Sequence, residues 1–249
     1  MFPIRLALAL GQVVLASTLF GQEQVPPQPL PGAFEAYFTT SSEMIFSVPQ
    51  LDVNGSDRGA VVRFSPFLNM TGMLNYDLGG HFGLFAGLSV RNQGFIYQVP
   101  DTSVRYKFRT YNAGLPVGFK FGKMNNTLVY VGYELELPFN YKEKRFENER
   151  KEEKFNVWLS DRTAPFFQSV FVGFQGPNGS TITARYYLTN FHNTDFVETI
   201  DGVNSKPYAG LNAHIFAISL GYGLFDARAT ERSGEQRKPM DVETRAMRR

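Results

Sequence analysis

The sequence predicts an all-β fold, an eight-stranded antiparallel transmembrane β-barrel wound as an up-and-down meander. Three observations carry that prediction. Two long segments, 110–121 and 127–141, alternate with period two around a tight polar turn at 123–126. Each is longer than the usual strand of a soluble sheet. One side of the alternation is continuously apolar, with Tyr111, Ala113, Leu115, Val117, Phe119 and Phe121 on the first segment. Val129, Val131, Tyr133, Leu135, Leu137, Phe139 and Tyr141 continue it on the second, while the opposite side is small, polar and in places charged. Finally, short and long connections alternate along the chain, as they do in barrels with turns on one side of an outer membrane and loops on the other.

The remaining strands follow in order. Residues 22–32, with four prolines, form an extended lead-in, and a first strand lies within 33–48, ended by Pro49. After a polar loop at 50–59, a second strand spans 60–76, with Val62, Phe64, Leu68, Met70, Leu74 and Tyr76 on one face. Arg63, Ser65, Asn69, Thr71 and Asn75 take the other. A turn at 77–80 leads to a third strand, 81–97, where Gly94 is expected to mark a bulge. Residues 99–104 connect it to the 110–141 hairpin. The mixed-charge run 142–156 lacks an apolar period and reads as a solvated loop, partly helical. A sixth strand, 164–175, and a seventh, 180–191, flank the turn Pro177, Asn178, Gly179. A polar loop, 193–207, precedes the last strand, 208–225, whose outward residues are expected to be Phe216, Ile218, Leu220, Tyr222 and Leu224.

Composition and termini bound the compartment. Residues 1–21 read as a signal peptide, with Arg5 as its basic start and an apolar core ending near Gly21. The chain of 249 residues has no cysteine, which excludes disulfides, thiolate metal sites and an N-terminal lipidated cysteine. The net charge of +2 gives no argument for nucleic acid. Mean hydropathy is slightly negative, which suits a barrel, because alternation hides its membrane signal. The domain plan is therefore a signal peptide at 1–21, a lead-in at 22–32, a barrel at 33–225 and a charged periplasmic tail at 226–249. An even strand count puts both termini on the periplasmic side.

Which face meets lipid is a question of magnitude. With the apolar face outward, Arg63, Arg91, Lys120, Glu134, Glu136 and Arg185 lie in the lumen and can pair. On the lipid face near the midplane each Arg or Lys would cost about 2–4 kcal/mol. The inverse arrangement is a soluble lipocalin-like carrier of an apolar ligand, with the apolar face inside. The polar face here is mostly Gly, Ser, Thr and Asn, small residues suited to a narrow interior.

The segment ending Phe20, Gly21, Gln22, the 111–121 strand and the 221–225 ending together resemble the porin-like small outer-membrane barrels of Bacteroidota, the broad PorT-like group. The likeness is one of strand pattern and contains no diagnostic motif. It implies a non-enzymatic envelope protein in a Gram-negative outer membrane, with a structural, adhesive or assembly role. Outer-membrane lipid and lipopolysaccharide, the barrel-assembly machinery and a periplasmic partner for the tail are the partners it implies. An aromatic closes the last strand at Phe225, but 24 further residues follow it, unlike barrels that end on that aromatic.

The lumen charges Arg63, Arg91, Lys120, Glu134, Glu136 and Arg185 are the sharpest chemical constellation. They read as a mutually paired polar plug, or else as a gated pore or proton path. Three histidines, His81, His192 and His214, lie far apart in sequence, and none has metal-ligand spacing. An outer-membrane lipid hydrolase would need a histidine, a hydroxyl and an acid together, and His192, Thr194 and Glu198 come nearest. No cofactor site is expected. The 142–154 run could dock a partner or a sugar phosphate.

Overall fold

The computed structural model describes residues 35–225 apart from 60, 125 and 201. The expected signal peptide at 1–21, lead-in at 22–32 and tail at 226–249 fall outside the described residues. Among the described residues thirteen strands follow one another: β1 Glu35–Val53, β2 Ser56–Arg58, β3 Arg63–Ser65, β4 Met70–Asp77, β5 Phe82–Gln98, β6 Val104–Gly122 and β7 Leu128–Glu147. Then come β8 Arg150–Trp158, β9 Phe167–Gln175, β10 Ser180–Tyr187, β11 Glu198–Ile200, β12 Val203–Ser205 and β13 Leu211–Tyr222. Among the described residues no helix is long and apolar enough to cross a membrane.

Strands β1, β4, β5, β6, β7, β9, β10 and β13 pair in antiparallel sequence, and β13 returns to pair with β1 from Ser42↔Tyr222 to Val53↔Leu211. The ring is closed, so its strands have no free edge within the barrel, which a hydrocarbon solvent requires. Short turns join β4 to β5, β6 to β7 and β9 to β10 at one end, where β1 starts and β13 finishes. The opposite end carries the long connections.

Side-chain direction follows the alternation. Leu74, Leu88, Leu115, Val117, Val131, Val172, Ile182 and Ile218 are exposed, while Thr71, Asn75, Ser89, Asn112, Thr183 and Ser219 are buried inside. This is the inverse of a soluble carrier, whose apolar side chains would line the cavity. The ten-residue step from Tyr111 to Phe121, at about 3.4 Å per residue and a tilt of about 40°, rises about 26 Å, the height of a lipid-facing belt. The fold is an eight-stranded transmembrane barrel.

Several expectations need correction. Residues 142–156 form neither a loop nor a helix. Strand β7 continues to Glu147, reverses through Asn148 and Glu149, both with positive φ, and returns as β8 paired to β7. Charged side chains hide the period there, but the backbone ladder persists, and the two-residue reversal lacks the usual Gly. Pro49 does not end β1. It stands opposite Ile215 of β13, and on the other side no strand pairs between the β3 and β2 ladders, so no bond is forfeited there. The expected second strand breaks at 66–69, where Leu68 takes φ 60°, and resumes as β4.

Gly94 is not a bulge, because it pairs with Arg109 in unbroken register. It is glycine because its φ is 155° and a Cβ would collide with the Phe108 carbonyl oxygen. The register instead shifts where Tyr111 meets Asn140 and Asn112 meets Pro138. That extra residue, Phe139, reverses the phase, so Tyr141 points inward and is buried, contrary to expectation. Leu224 is also buried rather than lipid-facing. Gly223, at φ 79°, turns the chain under the barrel, where the Leu224 carbonyl accepts from Thr39 Oγ1 at 2.6 Å.

Candidate functional site

The interior is filled in layers. At the short-turn end, Met73, Phe85, Leu128, Tyr130, Phe171, Leu224 and Phe225 form one apolar cluster. The rings of Tyr130 and Phe225 meet at 4.8 Å and those of Phe85 and Phe225 at 5.0 Å. Small residues across the barrel make this possible, since a Cβ at Gly173 would occupy the Tyr130 ring. Above it lies an ionic layer. At the loop end a second cluster gathers Leu51, Phe95, Phe108, Tyr141, Phe167, Tyr187, Phe191, Tyr208 and Ile215.

The ionic layer is built from alternate residues of adjoining strands. Arg91 of β5 lies 3.1 Å from Glu134 of β7, 3.2 Å from Glu43 of β1 and 3.9 Å from Glu136. Arg185 of β10 lies 2.7 Å from Glu134 and 3.8 Å from Glu136. Ser89 also donates to Glu134. Glu136 accepts from Tyr187 Oη at 2.7 Å and from Asn112 Nδ2 at 2.7 Å. A Cβ at Gly114 would strike Glu134 and Ser89, so that glycine makes room for the carboxylate.

The six charges singled out in the sequence therefore fall into three places. Arg91, Arg185, Glu134 and Glu136 meet one another. Lys120 is fully buried but lies lower, 2.7 Å from Asp77, donating to Asn75 Oδ1 at 3.1 Å and Tyr37 Oη at 2.6 Å. Arg63 reaches neither glutamate. Its guanidinium donates to the Asn92 carbonyl at 3.1 Å and Asn92 Oδ1 at 2.5 Å, between β3 and β5. The break at 66–69 displaces β3 from the β4 path, which takes Arg63 away from the layer.

Sequence reasoning missed Glu43 and Asp77. Both stand at inward positions of the alternation, Glu43 between Ser41 and Ile45, and Asp77 two residues after Asn75. Extending the inward face of β1 and β4 by parity would have found them.

At the loop end a polar network crosses the aromatic cluster. Tyr141 Oη and Tyr208 Oη donate to Glu143 Oε2 at 2.8 and 3.0 Å. Arg162 bonds Tyr208 and pairs with Glu198. The His192 ring stacks on Tyr208 at 4.3 Å and 9° and meets Phe108 at 4.6 Å edge-on. Burial pushes His192 down to about 3, and burial with Glu143 pushes Tyr208 up to about 12. Among the described residues His192 Nδ1 has no hydrogen-bond partner, and Glu198 is held by Arg162. The histidine, hydroxyl and acid that a hydrolase needs are thus not assembled at His192, Thr194 and Glu198. Among the described residues no group of histidines and carboxylates could hold a metal ion.

No family model and no curated protein matches the chain. Solved structures similar to it include the attachment invasion locus protein Ail of Yersinia pestis in complex with the heparin analogue sucrose octasulfate. That match has 13% identity over 74% of this chain and 97% of Ail, with a TM-score of 0.34. Neisserial surface protein A is similar at 11% identity over 76% of this chain and 98% of its own, with a TM-score of 0.35. The outer membrane protease OmpT of Escherichia coli is similar at 9% identity over 80% and 100%, with a TM-score of 0.30. The barrel assignment rests on the closed hydrogen-bonded ring and its apolar exterior.

Proposed function

We propose that this protein is a non-enzymatic, non-conducting barrel of a Gram-negative outer membrane, of the PorT-like porin-like kind found in Bacteroidota. Both termini are periplasmic, and the long connections and the β7–β8 hairpin project outward. The observation that carries this reading is the filled interior, in which two aromatic clusters bracket a buried ionic layer. A barrel of eight strands is narrow to begin with, and these side chains leave the lumen the role of a structural plug. Work of an adhesive or envelope-assembly kind then falls to the outward surface. Its partners are outer-membrane lipid and lipopolysaccharide, the barrel-assembly machinery during insertion, and a periplasmic partner for the tail.

Two measurements test the proposal together. Detergent-extracted protein should run at a different gel position before and after boiling, as folded membrane barrels do. In planar bilayers it should show no steady conductance above baseline. A stable, salt-dependent open channel would refute the plug, and extraction by buffer without detergent would refute the membrane location.

A further inference from the structure

We infer that the outward face of the β6–β7–β8 sheet, where Lys107, Lys144 and Lys154 stand in one cross-strand row above the aromatic girdle, binds the phosphate groups of outer-leaflet glycolipid. This rests on the outer-membrane reading above and names the lipid chemistry that the projecting sheet takes.

The register makes the row. Lys107 of β6 pairs with Lys144 of β7, which pairs with Lys154 of β8. One step nearer the barrel Arg109 pairs with Lys142. Like charges directly opposite in a sheet are destabilising, so three cations abreast need a counter-charge. Among the described residues the acids of this hairpin stand elsewhere. Glu143 points to the inner face and bonds Tyr141 and Tyr208, while Glu147 and Glu153 pair with Arg145 on that same inner face. Glu149 at the hairpin tip takes Arg105, and Glu152 occupies the irregular position between Glu153 and Lys151. Among the described residues none of Lys107, Arg109, Lys142, Lys144 and Lys154 forms an ion pair. Burial and the neighbouring Arg109, Lys151, Lys107 and Lys154 push the Lys144 ammonium below its ordinary value.

Height decides the partner. The rings of Tyr111 and Phe139 stack at 6.4 Å and those of Phe139 and Trp158 at 5.9 Å. Trp158, the one tryptophan of the chain, is 66% exposed on this face. Such a girdle marks the edge of the hydrocarbon. Arg109 and Lys107 lie two and four residues beyond Tyr111, about 5 and 10 Å higher along the barrel axis. The headgroup layer outside the hydrocarbon is about 5–8 Å deep on each side, so the Arg109 row stands near its outer edge and the Lys107 row just above it, within reach of a lysine side chain. Adjacent strands are about 4.8 Å apart, a spacing at which one phosphate can accept from two ammonium groups. A phosphorylated lipid seated against the girdle meets both requirements, with its chains on the belt and its phosphates on the rows.

The test compares the wild-type protein with Lys107→Gln/Lys144→Gln/Lys154→Gln. Each is refolded into vesicles of phosphatidylcholine alone, with bisphosphorylated lipid A, or with lipid A stripped of its phosphates. The readouts are the temperature at which gel mobility shifts and the lipid A retained through detergent extraction, measured by mass spectrometry. The triple variant should fold in phosphatidylcholine at least as stably as wild type, since repulsion is relieved. It should retain at least about tenfold less bisphosphorylated lipid A. Equal retention by both proteins, or equal retention of dephosphorylated lipid A, would overturn the inference. So would loss of retention in inorganic phosphate at the concentration of the lipid phosphate, which would mark a site for free anions. Wild type that inserts but keeps no lipid A overturns this inference alone, whereas failure to enter any vesicle overturns the membrane reading as well.

Discussion

Arg91 is the cation on which the interior turns, and Arg91→Met is the perturbation that measures it. One guanidinium serves three carboxylates, at 3.1 Å to Glu134, 3.2 Å to Glu43 and 3.9 Å to Glu136. Methionine keeps most of the volume but leaves those three buried acids facing Arg185, which lies 2.7 Å from Glu134 and 3.8 Å from Glu136. Removing one partner from a buried ionic group costs about 3–5 kcal/mol, because the remaining charge stays desolvated. That corresponds to a shift of about two to three and a half powers of ten in the unfolding equilibrium. The assay is urea unfolding in lipid vesicles, followed by Trp158 fluorescence and by gel mobility. Arg105→Met is the matched control, since its partner Glu149 is 84% exposed and such pairs contribute at most about 1 kcal/mol. Adding Glu43→Gln to Arg91→Met removes one stranded charge and should recover part of the loss. A single Arg91→Met variant within about 1 kcal/mol of wild type would refute the argument, as would a double variant less stable than the sum of its parts.

Two further outcomes are expected. His192 is held near 3 in the folded protein against 6.5 in the free side chain, so the unfolded state binds the extra proton between those values. Stability should therefore fall as pH drops from about 6.5 towards about 3, and urea midpoints of His192→Phe should lose that part of the slope. An unchanged slope would show that His192 is not held neutral. Leu115, 54% exposed near the middle of the belt, should tolerate Leu115→Ala far better than Leu115→Arg. The arginine should cost about 2–4 kcal/mol in bilayers, and equal urea midpoints for the two variants would mean the face meets water.

The alternation on β6, β9 and β10 was readable because lipid and lumen impose opposite chemistry on successive side chains. Phe119 and Lys120, or Val172 and Gly173, betray their faces without any partner in view. The parity fails wherever the backbone changes phase. Phe139 inserts a residue that no propensity announces, and Tyr141 turns inward to meet Tyr208 and Glu143. Leu224 continues the apolar period on paper, yet Gly223 ends the strand and folds Leu224 beneath the barrel. In the β7–β8 hairpin the charges look like a solvated loop because apolar period is the signal being sought. The strands there are held by ladder bonds, which side-chain composition does not report.

The candidate site divides in the same way. Sequence alone sufficed to bring Arg91, Arg185, Glu134 and Glu136 to the inner face, since a charge on the other face would sit in hydrocarbon. Which cation meets which acid depends on the stagger between strands, and that stagger comes from register and bulges. Lys120 therefore sits one layer below with Asp77, and Arg63 leaves the layer for Asn92 because the chain breaks at 66–69. Periodicity, a property of each strand by itself, determined the barrel, its apolar exterior and its polar interior. Pairing, a property of two strands at once, decided the ionic layer and the lysine row, because only closure of the ring fixes which residues stand side by side.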